Sequence, residues 1–356
     1  MKIGLIGLPR SGKTTLFNAV AKAQAQLSTY AGAKAEPNHA VAQVADPRVA
    51  ILSEAYKPKK TVHATIDFMD FPGVEEGSGK SDAFSGARLA DARKSDALAL
   101  VVRNFPNETG KPPMPAADLA RIEEELGFAD LVATEGRLER IAADLKRNRK
   151  TPGLEAEGKT LERIREHLQA QKPIRDLQLS VDEEKPLRGF GFLTQKPSIA
   201  FMSSSEDLFG KSGAALDAMN KLRPSLEFAG KFEMELSRLE DPAEVKMFLQ
   251  DLGIQESARE RLVRFAYKVV GLISFFTVGE DEVRAWTLRQ GATAVEAAGS
   301  IHTDLARGFI RAEVFSYDDW VELGSEKKIK EKGRFRLEGR EYVVKDGDII
   351  TIRFSV

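Results

Sequence analysis

The first residues able to do chemistry lie in the stretch GLPRSGKTT, which matches the pattern G-x-x-x-x-G-K-[ST]. Glycines in this pattern let backbone N–H groups surround phosphates, and the start of the following helix adds its positive dipole end. The lysine of the pattern reaches the β- and γ-phosphates, and the hydroxyl after it binds Mg²⁺. The stretch therefore predicts a nucleotide site built from Gly7, Pro9, Arg10, Ser11, Gly12, Lys13, Thr14 and Thr15.

A second motif, DFPG, contains Asp70 and Gly73 and ends the apolar run TIDFM. A carboxylate at the end of a strand holds Mg²⁺ directly or through water, and a glycine N–H senses the γ-phosphate. We therefore predict that Asp70 and Thr14 bind Mg²⁺. Gly73 and Lys13 are predicted to act in catalysis.

The base is less clearly addressed by the sequence. Guanine-specific proteins of this architecture carry Asn/Thr-Lys-x-Asp after a strand, and this chain has no such motif. RKSD at residues 93–96 comes close but precedes its strand, which puts it at the wrong end of the sheet. The run SIAFM is instead followed by SSSED at residues 203–207, so the preference between ATP and GTP stays open.

These groups require a parallel sheet to position them, and the apolar runs predict one. KIGLIG is a strand and KTTLFNAVAKA has helical periodicity, so the glycine loop joins a strand to a helix. Further buried strands are predicted at residues 65–70, 96–102 and 198–202. Short apolar runs separated by helical segments are typical of an α/β protein whose parallel sheet is covered on both faces.

Residues 111 to about 194 read as two amphipathic helices joined by a turn at Pro152 and Gly153. Such a pair would pack as an antiparallel helical hairpin, serving either as a structural stalk or as a partner-binding arm. Its apolar stripes are Leu131, Leu138, Ile141 and Leu145 in the first helix, and Leu154, Leu161, Ile164 and Leu168 in the second.

From about Leu272 onward the chain consists of short β-type runs. They are LISFFTV, VRAWTL, RAEVFSY, RFRLE, YVV and DIITIRFSV, with a helical segment, TAVEAAGSI, between the second and third. KDGD at residues 345–348 predicts a hairpin turn before the last strand. This region is predicted to be a small mixed β-sheet domain.

Composition restricts the partners. The 356 residues carry a net charge of −1 and no cysteine, which excludes disulfides and fits a reducing compartment. No apolar run approaches the roughly 20 residues that span a bilayer. We expect a cytoplasmic protein without membrane or DNA contacts, whose RNA contacts would come from the locally basic residues 324–336, with solvation of that loop as the alternative.

Several stretches together resemble one family. GLPRSGKTTLFNAV is similar to G-L-P-N-V-G-K-S-T-L-F-N-A, while EPN, DPR and KPKK (residues 36–38, 46–48 and 57–60) fall at family positions. Residues 275–314, from FFTVGEDEV to FIRAEV, are close to the start of the family's C-terminal domain. The chain thus resembles the YchF family, or Obg-like ATPases, among translation-factor-type P-loop proteins, over nearly its whole length.

The resemblance implies a P-loop NTPase sheet with an inserted antiparallel helical hairpin, plus a C-terminal ubiquitin-like (β-grasp) TGS domain. We place the first part of the NTPase domain at residues 1–110, the hairpin at 111–194, the second part at 195–271 and the TGS-like domain at 272–356. It also implies nucleotide hydrolysis and association with the ribosome or ribosomal RNA.

Departures from the family pattern concentrate at the chemistry. The family's base motif, Asn-x-x-Glu, appears here as Ser203 to Glu206, and we predict Ser203, Ser205 and Glu206 at the base. Lys34 stands where a switch threonine is expected. Arg10 replaces the family's asparagine, and we predict that its guanidinium stabilises transition-state charge in partial compensation.

Our leading hypothesis is a ribosome-associated NTPase that hydrolyses ATP or GTP slowly with Mg²⁺. One rival is a ribosome- or RNA-binding module whose degenerate nucleotide site scarcely turns over. Another is a P-loop small-molecule kinase, which accounts for the phosphate cradle but not for the C-terminal domain.

Overall fold

The structure is a computed structural model that describes residues 1–21, 38–71, 86–107, 110–148, 152–230 and 257–355, with positions 232 and 247. The chain divides into two compact units. The N-terminal unit comprises Lys2–Ala40 and Asp67–Arg259; the C-terminal unit comprises Val41–Ile66 and Glu260–Val356, together with Met1.

A six-stranded sheet forms the centre of the N-terminal unit, in the order β2-β4-β1-β5-β6-β7. β1 is parallel to β4 and β5, β5 to β6, and β6 to β7. The three further strands predicted for this sheet are confirmed as β4, β5 and β6, while β2 and β7 were not predicted. The bounds are β1 Lys2–Ile6, β2 Asn38–Gln43, β4 Thr65–Asp70, β5 Ala97–Asn104, β6 Ser198–Ser204 and β7 Ser225–Ala229.

The central strands are buried on both faces, as their unbroken apolar sequences require. Every residue of β6 is buried, as are all but one of β5. Leu100 and Met202 from these strands join one core with residues of helices on the sheet face, such as Leu119 and Met219. The helices of this unit before the hairpin and after it are α1 Lys13–Ala21, α3 Gly86–Ala92 and α7 Gly213–Asn220.

The predicted helical hairpin is present as α4 Pro115–Lys146 and α5 Leu154–Gln169. Its apolar stripes pack against each other, with Ile141 of α4 and Leu161 of α5 nearly inaccessible to solvent. Gly153, with φ 85°, takes the left-handed conformation at the start of α5, so it supplies the predicted chain reversal. Residues after α5 add α6 Val181–Leu187 and short 3₁₀ turns at Ile174–Asp176 and Arg188–Phe190.

One buried carboxylate ties the hairpin to the sheet. Asp130 of α4 is fully buried, and its oxygens accept hydrogen bonds from the Arg93 guanidinium at 2.8 Å and the Leu193 N–H at 3.1 Å. The N–H and hydroxyl of Thr194 also donate to it, at 2.8 and 2.9 Å. The four hydrogen bonds compensate the loss of hydration at this buried carboxylate. They hold α4 both to Arg93, before β5, and to Leu193 and Thr194, before β6.

The C-terminal unit contains a mixed six-stranded sheet in the order β11-β10-β12-β8-β9-β3. β12 runs parallel to β8 and antiparallel to β10, and β8 is antiparallel to β9. Its bounds are β3 Lys60–Val62, β8 Leu272–Thr277, β9 Glu282–Arg289, β10 Phe309–Ser316, β11 Arg336–Glu338 and β12 Asp348–Phe354; its helices after residue 257 are α8 Ala258–Val269, α9 Ala294–Ile301, α10 Thr303–Arg307, α11 Tyr317–Leu323 and α12 Glu326–Glu331.

Most of the predicted β-runs of this unit are confirmed, and TAVEAAGSI forms α9, whose alanines pack on the sheet. The prediction for YVV was wrong. Val343 makes an isolated bridge to Thr293, and β12 pairs with β8 and β10 instead of forming a hairpin with the YVV run. β12 lies between β10 and β8, so neither of its edges is open to the YVV run.

The segment Val41–Ile66 belongs to the C-terminal unit, although the predicted domain boundaries place it within residues 1–110. It contains β3 and α2 Pro47–Tyr56. Arg48 of α2 forms an ion pair with Asp346 at 2.7 Å and lies over the ring of Phe276 at 5.0 Å. β3 is only three residues long, KTV, so it lacks a pattern that would assign it to a sheet completed more than 200 residues later.

Candidate nucleotide site

The glycine loop joins β1 to α1 at the carboxyl edge of the N-terminal sheet. Leu5 of β1 is in register with Asp70 at the end of β4, and Asp70 is 6% exposed. Ligands of open α/β sheets bind at this edge, beyond the carboxyl ends of the strands. Of the other residues singled out by sequence, Gly73 and Lys34 lie outside the described part of the chain.

Local packing requires both glycines of the loop. A Cβ on Gly7 would lie 2.3 Å from the carbonyl oxygen of Val101 in β5 and 2.7 Å from the Ser11 hydroxyl. Gly12 has φ 95°, and a Cβ there would lie 2.6 Å from the Ser203 hydroxyl. The loop is thus wedged between β5 and β6, which explains two glycines at this spacing.

Lys13 folds back across the loop that precedes it. Its ammonium donates to the carbonyl oxygens of Gly7 at 2.9 Å and Leu8 at 3.0 Å. The side chain is half-buried, so the charge is held over the loop. This position suits a group that exchanges carbonyl contacts for phosphate oxygens.

The middle of the loop has both exposed and buried side chains. Pro9 and Arg10 are exposed, and Arg10 has φ 60°, a left-handed conformation that costs an arginine energy. Ser11 is 1% exposed, and its hydroxyl has no hydrogen-bond partner among the described residues. The Ser11 N–H donates to the Leu8 carbonyl oxygen at 3.3 Å, which closes a tight turn within the loop.

Thr14 and Asp70 provide the donors suited to Mg²⁺. Thr14 is exposed in the first turn of α1, and Asp70 ends the strand next to β1. In the described ranges, no three His, Cys, Asp or Glu side chains gather as a metal site. Mg²⁺ prefers oxygen ligands and is commonly held by one or two protein groups with substrate phosphates and water, so this donor set fits it.

The predicted base-side residues occupy the next part of the same edge. Ser203 is buried, and hypothetical Cβ atoms on Gly12 and Gly230 would lie 2.6 and 3.3 Å from its hydroxyl. Ser205 is half-buried, and its carbonyl oxygen accepts hydrogen bonds from the backbone N–H groups of residues 208 and 209. Glu206 is exposed. Ser203 therefore meets the phosphate loop, whereas Ser205 and Glu206 lie on the turn that follows.

Sequence reasoning missed a polar network beside this turn. The Asn104 amide donates to the hydroxyls of Ser204 at 2.9 Å and Ser212 at 2.7 Å. Ser204 in turn donates to Glu227, which also accepts from the Gly210 N–H at 3.1 Å. The available signal was a polar residue at the end of each apolar strand, ALALVVRN and SIAFMSS.

The basic segment at residues 324–336 offers fewer cations to a partner than its sequence indicates. Arg334 pairs with Asp319 and Glu322, while Arg336 pairs with Glu338 and Asp348. Both arginines are therefore engaged within the unit. The remaining cations are the exposed side chains of Lys327, Lys328, Lys330 and Lys332, of which Lys330 lies over the Phe335 ring at 4.4 Å.

The fold and the site define a P-loop NTPase of the α/β class. Its phosphate loop, which requires two glycines, joins the first strand of a parallel sheet to the first helix, and an aspartate ends the adjacent strand. Within the described residues, no helix has both the length and the apolar character to cross a membrane.

Comparisons with known proteins specify the family. A family model described as "50S ribosome-binding GTPase" matches residues 2–131, and the YchF-GTPase C-terminal model, described as "Protein of unknown function (DUF933)", matches residues 272–355. Proteins named "Ribosome-binding ATPase YchF" are 39% identical in Haemophilus ducreyi (100% of this chain, 99% of the relative) and 38% identical in Bacillus subtilis (99% of each).

A solved structure, the Schizosaccharomyces pombe YchF GTPase, matches with a TM-score of 0.81 and 30% identity, covering 99% of this chain and 97% of that one. The chain belongs to the YchF family. The predicted family and α/β fold class are confirmed.

Proposed function

We propose that this protein is a cytoplasmic, ribosome-associated NTPase that binds ATP or GTP with Mg²⁺ and hydrolyses it slowly. One observation carries the proposal: a complete phosphate loop stands in a chain that aligns from end to end with proteins named ribosome-binding ATPases. Nucleotide and ribosome are the partners; membrane and DNA are not.

Each residue of the cradle has a proposed role. Lys13 binds the β- and γ-phosphates, and Gly73 reports the γ-phosphate through its N–H. Thr14 and Asp70 would hold Mg²⁺, which supplies neutralisation of charge on the phosphate oxygens. Arg10, on the exposed rim of the loop, stabilises the charge that develops during transfer.

The base is held with little discrimination. Ser203 offers a hydroxyl already packed against the phosphate loop, and the carboxylate of Glu206 is exposed to water. A site that hydrogen-bonds its substrate in a buried pocket rejects an unmatched analogue by about 10⁴-fold or more. We expect the affinities for ATP and GTP to differ by about tenfold or less, because such a pocket is not built from these side chains.

Single-turnover hydrolysis of Mg-ATP and Mg-GTP tests the enzymatic part of the proposal. Slow release of phosphate that is lost in Lys13→Ala supports the NTPase. Tight binding with no phosphate released would instead support the ribosome-binding module with a degenerate site. Phosphate appearing on an added acceptor would indicate a kinase.

Co-sedimentation tests the ribosomal part. We expect binding to depend on whether a triphosphate analogue, a diphosphate or no nucleotide is present, because ordering around a γ-phosphate changes conformation in such switches. The cation cluster of α12 and its surroundings should make the binding salt-sensitive, since each phosphate contact releases counterions.

A charge-reversed variant with Lys327, Lys328 and Lys330 changed to Glu should bind ribosomes more weakly. Its matched control changes three exposed lysines of the N-terminal unit, Lys94, Lys185 and Lys221, to Glu, which alters the net charge equally. Equal losses in the two variants would show a general charge effect and remove α12 as the contact. Unchanged binding in the α12 variant would remove it as well.

A further inference from the structure

We infer that Asn104, Ser204 and Glu227 are positioning residues for the nucleoside: they hold the turn of residues 205–211 against the sheet so that it can cover the base and ribose. We call these three residues the polar clamp and residues 205–211 the base turn. The inference rests on the proposed nucleotide binding and adds to it the groups that hold the nucleoside side of the site.

The clamp connects three neighbouring strands at the edge where nucleotide binds. Asn104 is the last residue of β5 and is in register with Ser204, the last residue of β6. Glu227 in β7 is in register with Met202, two residues before Ser204. Asn104 and Ser204 are 3% and 4% exposed, so their polar groups depend on one another for hydrogen bonds.

Each hydroxyl of the network both accepts one hydrogen bond and donates its proton. Ser204 accepts from Asn104 and donates to Glu227, while Ser212 accepts from Asn104 and donates to the Leu208 carbonyl at 3.2 Å. The proton directions along this chain are therefore fixed by the amide at its centre. The network cannot easily adopt another arrangement.

Two points of the base turn are held by this network. The Leu208 carbonyl is bound through Ser212, and the Gly210 N–H donates to the second carboxylate oxygen of Glu227. Gly210 has φ 73°, which lets the turn present that N–H to the strand. The base turn begins directly after Ser203 and Ser204, and Ser203 packs against Gly12 of the phosphate loop. Its position relative to the phosphates is thus set by the clamp.

The proposal predicts that the clamp affects the nucleoside and leaves the phosphates alone. Glu227→Gln replaces one of the two acceptor oxygens of the carboxylate, and Ser204→Ala removes the hydroxyl that links Asn104 to Glu227. Each substitution should weaken ATP binding about tenfold, since a buried hydrogen bond to a charged group contributes that much or more. Binding of Mg-tripolyphosphate, which has no nucleoside, should stay within about twofold of the parent.

Calorimetric titration of the full chain with Mg-ATP and Mg-tripolyphosphate measures both affinities. Glu157→Gln is the matched control, because it removes a carboxylate that pairs with Arg137 on the hairpin, and it should change neither affinity. Unchanged ATP affinity in both clamp variants, or equal weakening of ATP and tripolyphosphate, would overturn the inference. A parent that binds neither ligand would overturn the proposed nucleotide site itself.

Discussion

Gly12→Ala should disable the phosphate loop through two separable effects. With φ 95°, the position lies where residues with a Cβ are strained by about 1–3 kcal/mol. In addition, the new Cβ would lie 2.6 Å from the Ser203 hydroxyl and 3.0 Å from its Cβ, well inside an ordinary contact. Rotation of the hydroxyl relieves the first overlap but leaves the second, and overpacking of this kind costs about 1–3 kcal/mol. We therefore expect a total loss of about 2–6 kcal/mol.

A double-mutant cycle separates the two effects. Ser203→Gly removes both overlapping atoms, so in that background Gly12→Ala should retain its conformational cost and lose its steric cost. The free energy of unfolding, from urea denaturation followed by circular dichroism, is measured for the parent, both single variants and the double variant. We expect a coupling of about 1–3 kcal/mol, and the loss of ATP affinity in Gly12→Ala should be partly restored in the double variant.

Purely additive changes, with a coupling below about 0.5 kcal/mol, would refute the contact between Gly12 and Ser203 as the reason for glycine. A Gly12→Ala variant as stable as the parent would refute both effects. Gly4→Ala is a useful comparison, because its Cβ would meet the Phe71 ring and the Ser95 hydroxyl at 3.0 Å but Gly4 does not have a left-handed φ, so it should cost less stability than Gly12→Ala.

Lys13→Ala should weaken ATP binding at least tenfold, because the charge-assisted contacts to phosphate are lost. The unfolding free energy should change little, because the ammonium's contacts to the Gly7 and Leu8 carbonyls, at 2.9 and 3.0 Å, lie within the loop itself. Equal ATP affinity by calorimetry would exclude the cradle. Arg10→Asn keeps a residue that tolerates φ 60° and removes the guanidinium, so we expect the single-turnover rate at saturating nucleotide to fall at least about tenfold; an unchanged rate would exclude the proposed role. Asp130→Ala leaves the Arg93 charge without its carboxylate partner and should lower the unfolding free energy by about 3–5 kcal/mol. The control Asp182→Ala removes an exposed carboxylate and should change the unfolding free energy by less than about 0.5 kcal/mol. Similar urea midpoints for the two variants would contradict this expectation.

The parts of the fold with a regular apolar period could be predicted from sequence. Continuous runs such as ALALVV are buried on both faces of a parallel sheet, and the stripes of the hairpin follow from helical spacing alone. β3 and β7 could not be predicted in this way. β3 has three residues and pairs with β9 about 220 positions later, and β7 is a five-residue run, SLEFA, with a glutamate at its centre. Tertiary pairing, rather than local preference, determines such strands.

The candidate site likewise contains residues that local sequence could predict and residues that only tertiary contacts reveal. The motif predicted the glycines and Lys13, whose places follow from local backbone geometry. The clamp residue Glu227 could not be found, because its partners Ser204 and Gly210 are 23 and 17 positions away and no motif joins them. Likewise, the basic run of the C-terminal unit did not reveal that Arg334 and Arg336 face carboxylates contributed by other elements.

The membership of α2 and β3 in the C-terminal unit has a consequence for how the protein is made. β3 pairs with β9, whose first residue follows it by about 220 positions, so at about 5–20 residues per second it waits roughly 10–45 s for its partner. During synthesis, Val49 and Leu52 of α2, fully buried in the complete unit, have emerged long before the strands that α2 packs with. The C-terminal unit therefore folds only after β9 and the later strands have been synthesised, and a chain terminated before them should expose these apolar residues to chaperones and proteases.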